Sequence, residues 1–201
     1  KQTERGGHAL EQTMSNAEAF QIGMEFKMKL AIDIKASTGK ALRTISAINC
    51  NHAPDFDESV NKAVSVYLEA AAPQIHNHTQ REYMAHYVVG NHVLIIAHGK
   101  DRVYNKAGLT VNCTPKDAEF VDSYCKANNL YSLGKRITLI KGNDHRDVFH
   151  QTRKDFNYLS VAALCPASGY AQTNFPMAMR GASSLLLKND GITVQRDHLW
   201  L

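Results

Sequence analysis

The sequence predicts an α/β fold: a layered β-sheet sandwich flanked by helices. Three observations carry this expectation. Strand-like runs followed by helical patterns come first, which is the order of a mixed layered domain. Hairpin signals dominate later, where β-rich runs are joined by Gly- and Asn-containing turns. The chain has 201 residues, 44% hydrophobic and 21% charged, enough for one sizeable core, so residues 1–201 read as a single domain. No stretch approaches the roughly 18 uninterrupted apolar residues of a membrane span. No signal peptide is visible either, so the expected location is the cytoplasm, with no membrane partner.

The elements follow in order. "NAEAFQIGMEFKMKLAIDIK" (16–35) has apolar residues at Phe20, Met24, Met28, Ala31 and Ile32, which is helical spacing, with Ser15 or Asn16 as N-cap and Gly39 ending the region. "RTISAIN" (43–49) alternates like a strand. "DESVNKAVSVYLEAAA" (57–72) reads as a helix capped by Asp55 or Asp57, with acids in its first turn and Pro73 stopping it. Residues 82–89 and 92–97 are β-rich runs joined at Gly90-Asn91, a hairpin signal. Residues 115–128 read as a helix with Thr114 as N-cap and Pro115 at its first position. "RITLIK" (136–141) and residues 157–164 read as strands, and 183–187 with 192–195 flank the turn "KNDG" as a closing hairpin.

Composition excludes several classes. Cys50, Cys113, Cys125 and Cys165 are far apart and form no C-x-x-C pair, so they read as reduced thiols rather than a zinc knuckle or redox motif. The net charge of +4, without a Lys/Arg block, permits a polyanionic substrate without arguing for one. The ten histidines are more informative, because six of them lie between His52 and His98. Imidazole is the commonest metal ligand and a proton shuttle near neutral pH.

Three polar clusters fall at predicted strand ends: Cys50-Asn51-His52, His98-Gly99, and Gly142-Asn143-Asp144-His145. Ligands of open α/β sheets collect at the carboxyl ends of strands, so these clusters could converge. Mixed oxygen and imidazole donors suit Mn, Fe or Zn, and two such ions can clamp a phosphoryl group. A second "NH" occurs at Asn91-His92, but there it runs straight into "VLII" and Gly90-Asn91 reads as a turn into a strand. His76 and His78 would share one face of a strand and read as surface positions. Asp144 and Asp147 could supply a carboxylate, but their spacing fits no motif.

Here the chain resembles the calcineurin-like metallophosphoesterases, in particular their phage-borne and nuclease-related branch. That family carries D-x-H, G-D-x-x-[DN], G-N-H-[DE], a lone H often followed by G, and G-H-x-H, in that order. "CNHA" (50–53) resembles the third motif, "AHG" (97–99) the fourth and "GNDH" (142–145) the fifth. "VAALCPASGYAQTNFPMAMRGASSLLL" (161–187) is similar to the segment that follows the fifth motif, and the opening "TERGGHALEQTMSNAEAF" (3–20) to the stretch after the second. The resemblance implies that Asn51, His98 and Asn143 ligate one divalent metal and His145 the other. It implies that His52 steadies the phosphate and protonates the leaving oxygen. The substrate class it implies is a phosphodiester, with nucleic acid as the expected example, and the setting a phage-infected cell or a phage assembly.

The departures are as informative. The first two motifs are absent, Cys50 stands for Gly, Ala53 for the acid, and Asn143 for the first His of the fifth motif. Carboxylates supply most of the neutralising charge in such sites, so two ions look under-ligated. The chain therefore reads as an incomplete metallophosphoesterase-like domain. Its expected partner is an amino-terminal half-domain on another polypeptide, or another copy of itself. Two functions fit: a part of a phosphoesterase that needs completion, or a non-catalytic scaffold that has lost its carboxylates.

Overall fold

A computed structural model describes residues 4–5, 8–9, 14–48, 54–100, 108–150, 155–164, 180–190 and 194–200. The fold class is α/β, with parallel and antiparallel strand pairs and three helices among the described residues. The chain packs as two compact units, Lys1–Glu82 and Tyr83–Leu201.

In the first unit, β1 (Glu4–Arg5) and β2 (His8–Ala9) form a short antiparallel pair. Helix α1 (Asn16–Thr38) starts at a capping box. The Glu18 amide donates to Ser15 Oγ (3.2 Å), and the Ser15 amide donates to Glu18 Oε2 (2.7 Å). These bonds satisfy two amides that a helix start leaves unpaired. Gly39, at φ +65°, closes the helix with its amide on the Lys35 carbonyl. Next come β3 (Leu42–Ala47), α2 (Pro54–Ala71) and β4 (Ile75–Gln80). β3 and β4 pair in parallel, in register from Leu42↔Ile75 to Ala47↔Gln80, and α2 is the crossover between them. Proline at the first position of α2 costs no hydrogen bond, so the helix begins three residues before the expected Asp57. Ala31, Val60, Val64, Leu68 and Ile75 form the core, with Phe20 edge-on to Phe56 at 6.3 Å.

The second unit is built on a five-stranded sheet, ordered β5 (Met84–Val89), β6 (His92–Ala97), β7 (Arg136–Lys141), β9 (Asn157–Ser160), β8 (Val148–His150). The outer pairs are antiparallel; β6, β7 and β9 run parallel. Ala97, Lys141 and Ser160 are in register, so the three parallel strands end on one line. Helix α3 (Pro115–Ala127) starts at Thr114 in a second capping box, with Asp117 as the reciprocal acid. Its buried Val121 and Cys125 pack with Val93, Ile95, Ile137, Leu139 and Tyr158 of the sheet. A 3-10 turn, Leu130–Leu133, leads into β7. β10 (Gly181–Leu187) and β11 (Val194–Trp200) form an antiparallel hairpin. No helix among the described residues is long and apolar enough to cross a membrane.

Candidate functional site

The carboxyl ends of β6 and β7 bring two of the three expected clusters together. The Gly142 amide donates to the His98 carbonyl (3.1 Å), and the Leu109 amide donates to the Gly99 carbonyl (2.9 Å). Gly99 has φ +106°, and a Cβ there would lie 2.7 Å from the Gly142 carbonyl oxygen. Glycine after His98 is therefore required twice, by conformation and by the closeness of the neighbouring loop. Asn143 (φ +76°) and His145 (φ +54°) are both left-handed. Asparagine tolerates that region, but for histidine it costs roughly 1–2 kcal/mol. Such strain persists only where the surroundings fix it, and it concentrates at functional loops.

Lys141 holds the loop through Asp144, although in sequence it is an ordinary strand-end lysine. Its side chain is 0% exposed. The ammonium donates to the Leu109 carbonyl (2.8 Å) and to the Asp144 carboxylate. Burial pushes the Lys141 pKa down, and the bond from Asp144 works against that shift. Asp144 Oδ1 also accepts from Asn143 Nδ2 (3.2 Å), which leaves the Asn143 amide oxygen as its donor atom for a ligand. Ser160, in register with Lys141, is fully buried, and its Oγ has no hydrogen-bond partner among the described residues.

A neighbouring network supports the same edge from α3. Asp117 Oδ2 accepts from the amides and hydroxyls of Thr110 and Thr114. Burial acts to raise its pKa, and those four bonds more than offset it, so the carboxyl group is held below its ordinary range. The Tyr158 hydroxyl donates to the Thr110 carbonyl (2.5 Å).

Both loop carboxylates that the sequence offered are already engaged. Asp144 neutralises Lys141. Asp147, 4% exposed, pairs with Arg196, accepts from His198 Nδ1 (2.9 Å) and accepts from Ser183 Oγ (3.2 Å). His198 is thus part of a buried polar cluster. Burial and the Arg196 charge lower its pKa, so the neutral imidazole is favoured. Ser183 Oγ lies 3.2 Å from the same Nδ1 that faces Asp147, which is not the relay of a hydrolytic triad.

The other expectations resolve unevenly. Asn51 and His52 lie outside the described residues. Among the described residues, the strand before them, β3, pairs with β4 alone. His76 and His78 sit on β4 and are exposed. Asn91 is in the β5–β6 turn, donating to the Asn189 carbonyl (2.5 Å), and His92 is buried with Nε2 2.7 Å from the Lys188 carbonyl. That pair is a hairpin, as its sequence context indicated.

Among the described residues, no three His, Cys, Asp or Glu side chains are grouped to hold a metal ion. His98, His145 and the Asn143 oxygen, without a free carboxylate, do not make a metal centre on their own. No family model matches the chain, and no curated protein matches it. Among solved structures, it is similar to wild-type Vps29 from Entamoeba histolytica, in a crystal structure complexed with Zn2+. The TM-score is 0.42 at 10% identity, covering 96% of this chain and 94% of that one.

Proposed function

We propose that this chain is one part of a metal-dependent phosphoesterase, with phosphodiesters, nucleic acid among them, as its substrate class. One observation carries the reading: the His98 strand end and the 142–145 loop, distant in sequence, are hydrogen-bonded neighbours at the carboxyl edge of parallel strands. In this reading His98, His145 and Asn143, with Asn51, supply neutral donors. The carboxylates that would hold Mn, Fe or Zn come from a partner, an amino-terminal half-domain or another copy, and His52 is the general acid.

The engagement of Asp144 and Asp147 favours a second reading, a non-catalytic scaffold. Elemental analysis of the purified chain, alone and co-expressed with the polypeptide encoded upstream, separates them. Substoichiometric metal alone and about one or two ions per complex supports the phosphoesterase. No metal in either sample supports the scaffold.

A further inference from the structure

The β10–β11 hairpin supplies more than a second layer. His150 lies opposite Tyr158 in the β8–β9 pair, so both face α3, and Phe149 and Asp147 alternate onto the other face of the sheet. The hairpin covers that face. The Arg196 guanidinium sits 5.9 Å from the centroid of the Phe149 ring and pairs with the Asp147 carboxylate.

That carboxylate is seated on three side chains of the hairpin. Oδ2 takes Arg196 and His198 Nδ1 (2.9 Å), and Oδ1 accepts from Ser183 Oγ (3.2 Å). Arg196 and His198 alternate on β11, and Ser183 is the cross-strand partner of His198, so all three present to one face. The seat is enclosed: the His198 and Arg196 side chains are 10% and 19% exposed. Gly181 makes room for the imidazole, since a Cβ there would lie 2.5 Å from His198 Nε2 and 2.4 Å from the Leu199 carbonyl oxygen.

A buried cluster of this kind is a poor source of stability. Taking an Arg and an Asp out of water costs about as much as their attraction offsets, and apolar side chains of similar volume often do as well or better. What an apolar layer does not supply is direction. Three donors on one carboxylate fix where its Cβ, and the chain on either side of it, must lie.

The chain on one side is the candidate site. Val148 is opposite Ser160, which is in register with Lys141 and hence with Ala97. Asp147 is therefore one row further on, with Val161, Gly142 and His98. The ladder continues along that row: the Val161 amide donates to the Lys141 carbonyl (2.9 Å), and the Gly142 amide to the His98 carbonyl. The 142–147 loop steps over the end of β9 from β7 to β8, two strand spacings or roughly 10 Å. Five residues can span about 17 Å, so the loop is slack and its end points alone do not fix its path. Two carboxylates tie it down, Asp144 to Lys141 and Asp147 to the hairpin. His145, left-handed at φ +54°, lies between the two ties.

We infer that Arg196, His198 and Ser183 are positioning residues: by seating Asp147 they fix the path of the 142–147 loop and hold His145 at the carboxyl edge of the sheet. That His145 is held there to ligate a metal rests on the reading above; the positioning itself does not.

The test uses the full chain, metal-free and labelled for NMR, in two variants. Asp147→Leu, Arg196→Met, His198→Leu and Ser183→Ala together replace the seat by apolar side chains. Ser183→Ala alone removes one neutral bond. The apolar variant should keep a urea midpoint within about 0.5 M of the wild type. Its amide exchange at 143–146 should nevertheless speed by about 10-fold or more, and the His145 ring shifts should move toward those of an unfolded histidine, with exchange in β6, β7, β10 and β11 unchanged. Ser183→Ala should speed the same loop amides by about 3-fold at an unchanged midpoint. An apolar variant with wild-type exchange at 143–146 and unmoved His145 shifts overturns the inference, because packing then holds the loop as well as the seat does. Exchange that speeds equally in β7, β10 and β11 also overturns it, because the cluster then acts through general stability. Should the apolar variant not fold, Ser183→Ala decides alone, and unchanged loop amides there reject the inference. A loop loosened by these variants in a chain that never loads metal, with or without its partner, would leave the positioning standing and remove the phosphoesterase reading.

Discussion

Asp144→Ala should be the most costly single change in the 142–145 loop. The substitution leaves the Lys141 ammonium, 0% exposed, with the Leu109 carbonyl as its remaining hydrogen-bonded oxygen. Removing one partner of a buried pair costs about 3–5 kcal/mol. Asp144 is itself 19% exposed, so part of its charge is met by water and the lower end, about 3 kcal/mol, is expected. With a urea m-value of about 2 kcal/mol/M, the unfolding midpoint should fall by about 1.5 M. The loss should also depend on pH. Burial lowers the Lys141 pKa, so the folded chain binds fewer protons there than the unfolded chain, and stability rises with pH below the ordinary lysine value. Without Asp144 the pKa falls further, so the variant should recover stability on going from pH 7 to pH 10. Lys141→Met combined with Asp144→Ala should restore most of the loss, because an apolar side chain leaves no buried charge. Urea titrations followed by circular dichroism at pH 7 and pH 10 measure all of this. A midpoint shift under about 0.25 M, equal at both pH values, would refute the claim that this ion pair clamps the loop.

Other positions give sharper local tests. Gly99→Ala should cost at least about 2 kcal/mol in the same assay, from the left-handed backbone and the approach of the Gly142 carbonyl. Thr114→Ala should cost about 1 kcal/mol as a lost N-cap. Asp117→Asn should flatten the acid limb of the stability curve, because a carboxylate with a depressed pKa stabilises above its unfolded pKa and loses that contribution as pH falls through the folded one. Cys125 is buried and free, with burial pushing its thiol up to about 11, so at pH 8 it should alkylate about 100-fold more slowly than an exposed cysteine, as mass spectrometry would read.

Periodicity and caps made much of the fold legible. The Ser15 and Thr114 capping boxes, Gly39, and the "HVLIIA" and "RITLIK" strands are where local chemistry alone dictates the element. β4 was legible only as the H-x-H spacing of His76 and His78, because "IHNHTQ" is mostly polar, and its partners on β3, Thr44 and Ser46 opposite Asn77 and Thr79, are polar too. A hydrophobic period does not register such a strand. β8 is three residues long and is held by pairing with β9, which no local window reveals. In the candidate site, the strand-end histidines signalled His98 and His145. Lys141 and Ser160 gave no signal, because their importance comes from burial at the ends of strands adjacent only in the folded sheet. The engagement of Asp144 and Asp147 was not legible for the same reason: their cationic partners, Lys141 and Arg196, are set by tertiary contact.

The most direct test of the central claim is a Mn2+ titration of the full chain, followed by paramagnetic broadening of the histidine ring resonances. If His98 and His145 are ligands of an incomplete centre, their rings should broaden first, with millimolar apparent affinity. Broadening confined to the exposed His76 and His78, with His98 and His145 unaffected, would contradict the account, and so would a sub-micromolar site in the isolated chain.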